Sequence, residues 1–206
     1  GWNGSILATP ATCALAEVLL LDSAHLQEED ARRANRYGYS RHVKALPLYT
    51  RADARRALAL FEPLPFGRAR RVGDTTVRFT RAGHLLGAAS VLLEGQGQRL
   101  LYSGDLGRQN DLLMAPPEPP PDADVVMIES TYGNRTHPAD EPMARLGAIV
   151  RETIGRGGSV LMPAFAVGRT QALLLVLQRL NAAGEIPQDL PKVVDSPMAV
   201  EATALY

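Results

Sequence analysis

The chain has 206 residues, 22 basic and 22 acidic side chains, and a hydrophobic content of 46%. That length is enough for one large domain or for parts of two. No apolar run approaches the roughly 18 residues of a membrane span, and Cys13, the single cysteine, leaves no internal disulfide and no cysteine-based zinc site. We therefore expect a reducing, cytoplasmic location and no membrane association.

The charge is distributed unevenly along the sequence. Residues 1–30 carry five acidic and no basic side chains, whereas residues 31–81 carry thirteen basic side chains and three acidic ones. A basic block of this size attracts polyanions such as RNA or DNA. Twenty of the 22 basic residues are arginine, however, and a solvated, Arg-rich helical surface is the alternative interpretation.

The first third of the chain carries mostly helical signals. We expect a strand over residues 4–9 and helices over residues 13–21, 25–35 and 53–61. Thr12 is a candidate cap for the first helix, and Asp22 with Ser23 is expected to interrupt the helical pattern. Pro63 is expected to stop the third helix.

The hydrophobic period becomes strand-like from residue 73 onward. We expect strands over residues 75–80, 90–93 and 99–103, with a hairpin turn at residues 95–97. His84 precedes one strand of the hairpin, and Asp105, flanked by glycines, follows the other. Because a hairpin brings these two positions to the same end of a sheet, we expect the two side chains to lie together although they are 21 residues apart.

The last third alternates between strands and helices. We expect an apolar, buried strand over residues 124–129, ending on Glu129. Helices are expected over residues 141–154 and 170–180 and from residue 199, with strands over residues 159–163 and 192–195. This order is typical of a parallel sheet with helical crossovers.

His84, Asp105 and Glu129 are thus expected on three loop tips at one sheet edge. Zinc accepts imidazole nitrogen and carboxylate oxygen, and a carboxylate can bridge two metal ions about 3.5–4 Å apart. The residue types alone also allow purely structural roles: a loop histidine whose hydrogen bonds are satisfied, an aspartate that caps its own turn and a glutamate that anchors a loop. One histidine and one aspartate do not complete a metal site.

Six segments carry further information, in this order: ILATPAT (6–12), AGHLLGAAS with His84, YSGDLGR with Asp105, IESTYGNRTHP with Glu129, GSVLMPAFAVGRTQ (158–171) and VDSPMA (194–199). Together they resemble the β-CASP branch of the metallo-β-lactamase fold, a family of RNA-processing nucleases. The first resembles the strand and helix start that follow the first metal motif of the family, and the segments with His84 and Asp105 resemble later metal motifs. The segment with Glu129 resembles the acidic motif, and the last two resemble parts of the β-CASP cassette.

The resemblance implies a zinc-dependent hydrolysis of RNA phosphodiester bonds, as endonuclease, 5′ exonuclease or both. His84 would ligate one zinc ion and Asp105 would bridge two, while Glu129 would orient a downstream histidine; these three form the implied catalytic set. Arg169 and Ser130 are candidate contacts to RNA. Single-stranded RNA is the implied partner, and a homodimer is left open.

The resemblance also implies an α/β fold in two parts. Residues 1–133 would form part of a metallo-β-lactamase αββα sandwich, and residues 134–206 would begin a Rossmann-like β-CASP α/β domain. The His-x-His-x-Asp-His motif and the later histidines of the family are not in the sequence, so we expect an internal fragment that is inactive by itself. The alternatives are a non-catalytic RNA-binding or scaffold member of the family, or another hydrolase of the metallo-β-lactamase fold, which would lack the cassette.

Overall fold

The computed structural model describes residues 2–136 and 142–206. In these residues the chain forms seven strands and five helices, which confirms the α/β class. The strands are β1 (Ile6–Ala8), β2 (Phe61–Pro63), β3 (Ala69–Val72), β4 (Thr75–Arg81), β5 (Ala89–Gly95), β6 (Gln98–Tyr102) and β7 (Val125–Met127). The helices are α1 (Pro10–Tyr37), α2 (Arg51–Leu58), α3 (Pro142–Gly155), α4 (Arg169–Ala182) and α5 (Pro197–Thr203).

Helix α1 is one continuous helix of 28 residues, so the expected interruption at Asp22 and Ser23 is wrong. Each of these residues costs less than about 0.7 kcal/mol inside a helix, which a long flanking sequence offsets. The cap is also different from the expected Thr12, because the side chain of Thr9 accepts the Thr12 N–H at 3.2 Å and Pro10 occupies the first turn. Gly38 ends the helix in the left-handed region, at φ 67°.

The five-stranded sheet has the order β3-β4-β5-β6-β7 and is antiparallel except for the parallel pair β6–β7. The strands expected over residues 75–80, 90–93 and 99–103 are confirmed, with ends that differ by a few residues. Gln96 and Gly97, at φ 52° and 75°, make the two-residue turn between β5 and β6. Positive φ at both central positions is the type I′ geometry that suits a hairpin.

Two strands were not expected from the sequence. β3 is an edge strand whose four residues are all exposed, so it lacks the hydrophobic alternation that reveals a strand. β2 pairs in parallel with β1 and occupies the end of the helix expected over residues 53–61. That helix begins earlier, at Arg51, because Thr50 and Asp53 form a reciprocal capping box, and it ends at Leu58.

Strand β7 lies at the edge of the sheet and is exposed, whereas a buried strand was expected. Val125, Val126 and Met127 are 48–55% exposed. The difference arises because the described residues leave both faces of β7 largely uncovered at the edge of the sheet.

The helices expected in the last third are confirmed as α3, α4 and α5, although Glu141, the expected start of α3, lies outside the described residues. α3 and α4 share a small core of Val150, Leu177 and Leu180, which Ile186 completes.

The strands expected over residues 159–163 and 192–195 do not form in the described part of the chain. Leu161 and Val193, which would have been buried in a sheet, are 92% and 85% exposed. A strand needs a neighbouring backbone for its N–H and C=O groups, and no described strand pairs with either segment. The parallel sheet of the second part is therefore not observed there, and the boundary between residues 133 and 134 stays a prediction. Among the described helices, none combines the length and apolar character that crossing a bilayer requires.

Candidate metal centre

Two loops that follow strands β4 and β6 lie side by side. The Gly107 N–H donates to the Ala82 carbonyl oxygen at 2.8 Å, and Gly83 and Leu106 form an antiparallel bridge. A Cβ atom on Gly107 would lie 1.9 Å from the carbonyl oxygen of Gly83, so only glycine allows this approach. The loops are thus joined backbone to backbone directly beside His84 and Asp105.

His84 and Asp105 face each other across this pair of loops. His84 Nε2 and Asp105 Oδ2 are 4.0 Å apart, and the side chains are 45% and 73% exposed. The expectation that the hairpin brings them to one end of the sheet is confirmed. Both side chains are open to a ligand from solvent, while their roles as metal ligands stay a prediction.

Glu129 ties the end of β7 to the loop that carries Asp105. Its Oε1 accepts the Leu106 N–H at 2.7 Å, and its Oε2 accepts the Thr131 N–H at 3.1 Å. Hydrogen bonding by the Thr131 side chain and then by the Leu106 N–H lowers the pKa of Glu129 below its ordinary value. The carboxylate therefore stays ionised at neutral pH and holds the third loop tip against the second.

Two buried serines support this arrangement, and the sequence analysis missed them. The Glu129 N–H donates to Ser103 Oγ at 3.0 Å, and Ser90 Oγ donates to the Ser103 carbonyl oxygen at 2.7 Å. Ser90 and Ser103 are 8% and 5% exposed. A serine at a strand end has no sequence signal that separates this role from an ordinary surface position.

The start of α1 anchors the far side of the His84 loop. The hydroxyl groups of Thr9 and Thr12 donate to the Gly87 carbonyl oxygen at 2.8 and 3.1 Å. Gly87 has φ 82°, and a Cβ atom there would lie 2.7 Å from the Thr9 hydroxyl oxygen. Thr9 therefore caps the helix and holds the loop at once, a role that was assigned to neither threonine from the sequence.

The start of α4 also packs against the His84 loop. A Cβ atom on Gly168, the residue before α4, would lie 2.4 Å from the Leu85 side chain. Arg169 is the first residue of α4 and is exposed. Ser130 is exposed next to Glu129, and its carbonyl oxygen accepts the Gly133 N–H at 2.9 Å. Their contacts to RNA remain predictions.

The distance between His84 and Asp105 suits two ligands of one ion. Nitrogen and oxygen donors at the tetrahedral angle of one zinc ion lie about 3.4 Å apart, and these two atoms are 4.0 Å apart, so a shift of about 0.6 Å would bring them to that separation. Among the residues that the structure describes, no group of three or more His, Cys, Asp and Glu side chains surrounds a common point. The two residues fit a zinc site as part of its ligand set and do not complete it.

No family model matches the sequence, but curated proteins do. A ribonuclease of Thermus thermophilus is 36% identical over 207 residues, which cover all of this chain and 43% of the relative. Cleavage and polyadenylation specificity factor 73 of Drosophila melanogaster is 38% identical over 161 residues, covering 77% of this chain and 24% of that protein. An RNase J-like protein of Methanocaldococcus jannaschii is 35% identical over 163 residues, 77% of this chain and 38% of that protein.

The chain thus spans less than half the length of these relatives. The relatives bear the names of RNA-cleaving or RNA-processing proteins from three distant sources. Together with the His84 and Asp105 loops on the mixed β-sheet of an α/β fold, these relatives show that the chain belongs to the β-CASP branch of the metallo-β-lactamase family of RNA nucleases.

Proposed function

We propose that this chain supplies part of the catalytic centre of a zinc-dependent enzyme that hydrolyses RNA phosphodiester bonds, as endonuclease, 5′ exonuclease or both. The observation that carries the proposal is the 4.0 Å approach of His84 Nε2 to Asp105 Oδ2 on two loops joined by their backbones. The names of the relatives, ribonuclease and RNase J-like protein, support RNA as the substrate. The single cysteine is compatible with a cytoplasmic site of action.

His84 and Asp105 would hold the metal, and Asp105 would be the ligand shared by two ions. When bound, a pair of zinc ions would supply a hydroxide nucleophile at neutral pH and neutralise charge on the attacked phosphate. Glu129 acts as a positioning residue, because it accepts the backbone N–H of Leu106, the residue that follows Asp105. Single-stranded RNA would approach the sheet edge that carries His84, Asp105 and Glu129, which we call the rim. Arg169 and Ser130 are candidate contacts to this RNA.

His84 and Asp105 would be two of the ligands, and no group of three or more candidate ligands occurs among the described residues, whereas each catalytic zinc ion uses about three protein ligands. We therefore expect the 206-residue chain to bind zinc weakly and not to cleave RNA. Incubation of the chain with zinc and end-labelled RNA tests this expectation. Rapid cleavage that His84→Ala abolishes would show that the ligand set is more complete than proposed.

A chimera tests the nuclease function itself. This chain would replace the matching 207 residues of the Thermus thermophilus ribonuclease. We expect the chimera to cleave RNA in the presence of zinc, and His84→Ala or Asp105→Asn to lower the rate about 100-fold or more. Glu129→Gln should lower it by about 10- to 100-fold, the usual range for a residue that orients a metal ligand. Cleavage that is independent of His84 and Asp105 would contradict the proposal.

A non-catalytic, RNA-binding member of the family is the second candidate, because the ligand set of the described residues is incomplete. A folded chimera that binds RNA and zinc but leaves the RNA intact would favour this candidate over the enzyme.

A further inference from the structure

The end of α1 and the loop that follows it form a basic surface. From Ala31 through Ala52 the sequence has six basic residues and no acidic residue. We define the α1-end patch by the four basic residues and two tyrosines that are exposed at the end of α1 and in the first part of this loop: Arg33, Arg36, Tyr37, Tyr39, Arg41 and Lys44.

Several arginines of the basic block outside the patch have acidic partners. Arg32, Arg56 and Arg70 form ion pairs with Glu29, Asp53 and Glu62. No ion pair within the described residues involves any of the four basic side chains of the patch. Their charge is therefore not neutralised locally and remains open to an anionic partner.

Hydrogen bonds hold the loop against α1 and keep the patch together. The Asn35 side chain donates to the Ala45 carbonyl oxygen at 2.9 Å and accepts the Ala45 N–H at 2.8 Å. Farther along, the Tyr49 hydroxyl donates to Ser23 Oγ at 2.5 Å. The backbone at Ala45, which follows Lys44, is thus fixed beside Asn35 in the last turns of α1.

The patch presents aromatic faces among its charges. Tyr37 and Tyr39 are 66% and 63% exposed, and the Arg36 guanidinium lies 5.5 Å from the centre of the Tyr37 ring. Exposed aromatic rings between basic side chains are the arrangement on which single-stranded nucleic acids stack their bases and place their phosphates. Stabilisation of a helix C-terminus by cations would explain Arg36, but not Arg41 or Lys44 in the loop.

The patch lies far from the candidate metal centre along a rigid element. Thr9 and Thr12, at the start of α1, contact Gly87 in the His84 loop, and α1 has 28 residues. At 1.5 Å per residue the two ends are about 40 Å apart. A stacked strand that advances about 3.4 Å per nucleotide would need about 12 nucleotides to reach from one to the other.

We propose that the α1-end patch is an accessory binding site for single-stranded RNA, which holds the phosphates by its four basic side chains and stacks bases on its two tyrosines. The inference rests on the proposed function in one respect, that RNA is the substrate class. It adds to that function a second site, at a distance from the rim, where the RNA would be held while the rim cleaves it.

Binding of a 5′-labelled, 20-nucleotide oligouridine, measured by fluorescence anisotropy in EDTA, tests the proposal without cleavage. The patch variant carries Arg33→Gln, Arg36→Gln, Arg41→Gln and Lys44→Gln. The control variant removes the same charge elsewhere through Arg71→Gln, Arg151→Gln, Arg156→Gln and Lys192→Gln. We expect the patch variant to bind at least about tenfold more weakly, and the dependence of log K on log salt to fall by about 0.7 per lost phosphate contact.

The control variant should change the affinity by less than the patch variant does, and its salt dependence should stay close to that of the parent. Tyr37→Ala with Tyr39→Ala should weaken binding several-fold, and the corresponding Phe variants should restore it. A reduced pair, Arg41→Gln with Lys44→Gln, leaves α1 untouched, so it should lose affinity with no change in the thermal midpoint.

Equal loss of affinity in the patch and control variants would overturn the proposal, as would an unchanged affinity in the patch variant. So would a patch variant that changes the oligomeric state in light scattering and keeps its RNA affinity, because the patch would then be a protein interface. Patch-dependent binding together with an inactive chimera would support the accessory site while the proposed nuclease function failed.

Discussion

The rim that carries His84, Asp105 and Glu129 and the region from residue 142 onward contain similar sequence patterns and differ in what they form. On the rim every expected strand has a neighbour, and the loop tips are joined by backbone hydrogen bonds. In the later region the helices form, but residues 159–163 and 192–195 do not become strands within the described part of the chain. A helix satisfies its backbone internally, whereas a strand depends on another segment.

The comparison also shows which contacts hold the candidate centre in place. Its two candidate ligands, His84 and Asp105, lie on loops fixed by Gly107, Thr9 and Glu129, each through contacts made inside this chain. The later region has an apolar core of its own between α3 and α4, while α5 packs against α1. We therefore expect substitutions to separate the two regions, because their stabilising contacts are different.

The largest effect should come from Leu180→Ala. Leu180 is 3% exposed in the core shared by α3 and α4, and loss of such a side chain costs about 2–5 kcal/mol. Hydrogen exchange should rise in α3 and α4 and change little in β4, β5 and β6. Leu161→Ala, at a side chain that is 92% exposed, is the control and should leave exchange unchanged. Equal loss of protection on the rim would show that the two regions unfold as one.

Gly107→Ala should destabilise the rim by about 2–3 kcal/mol, since the added Cβ would lie 1.9 Å from the Gly83 carbonyl oxygen. Urea denaturation measures the loss, and the amide resonances near residues 83 and 106 should shift. Gly155→Ala is the matched control, because nothing lies within 4 Å of its Cβ position. A Gly107→Ala chain as stable as the parent would mean that the two loops are not in contact.

Thr9→Val should cost about 1–2 kcal/mol through loss of the helix cap and of the bond to Gly87. Thr50→Ala removes the cap of α2, where the Thr50 side chain bonds locally with Asp53. Both variants should lower stability, but only Thr9→Val should speed hydrogen exchange of the Ala88 and Leu86 amides. Similar exchange at these amides in both variants would mean that Thr9 caps α1 but does not hold the His84 loop.

The smallest effect should be the pH-dependent one of Glu129→Gln. Because hydrogen bonds to Thr131 and Leu106 lower the folded-state pKa below the ordinary 4.5, the carboxylate stabilises the fold above that pH, and the stabilisation is lost as the pH falls through the folded-state value. The parent should therefore be more stable than Glu129→Gln at pH 7, and the difference should shrink in acid. A difference in unfolding free energy that stays constant down to pH 3 would contradict the assigned hydrogen bonds.

Much of the rim could be predicted from the sequence because its signals are local. The Gly95-Gln96-Gly97 turn and the alternation on both sides of it bring His84 and Asp105 to one edge. The part played by Thr9, Ser90 and Ser103 could not be predicted, because each acts through a partner distant in sequence. Residues 159–163 have the sequence pattern of a strand. A local pattern does not reveal whether another strand is available to pair with it, so this prediction could not be made from the sequence.

Zinc titration of the ¹⁵N-labelled chain, followed at the imidazole resonances of its four histidines, tests most directly whether the rim is a metal centre. We predict that the His84 resonances shift first and that Asp105→Asn weakens the response, while Glu118→Gln leaves it unchanged. A response at His25 or His42 with His84 unaffected would contradict the assignment of His84 and Asp105 as ligands.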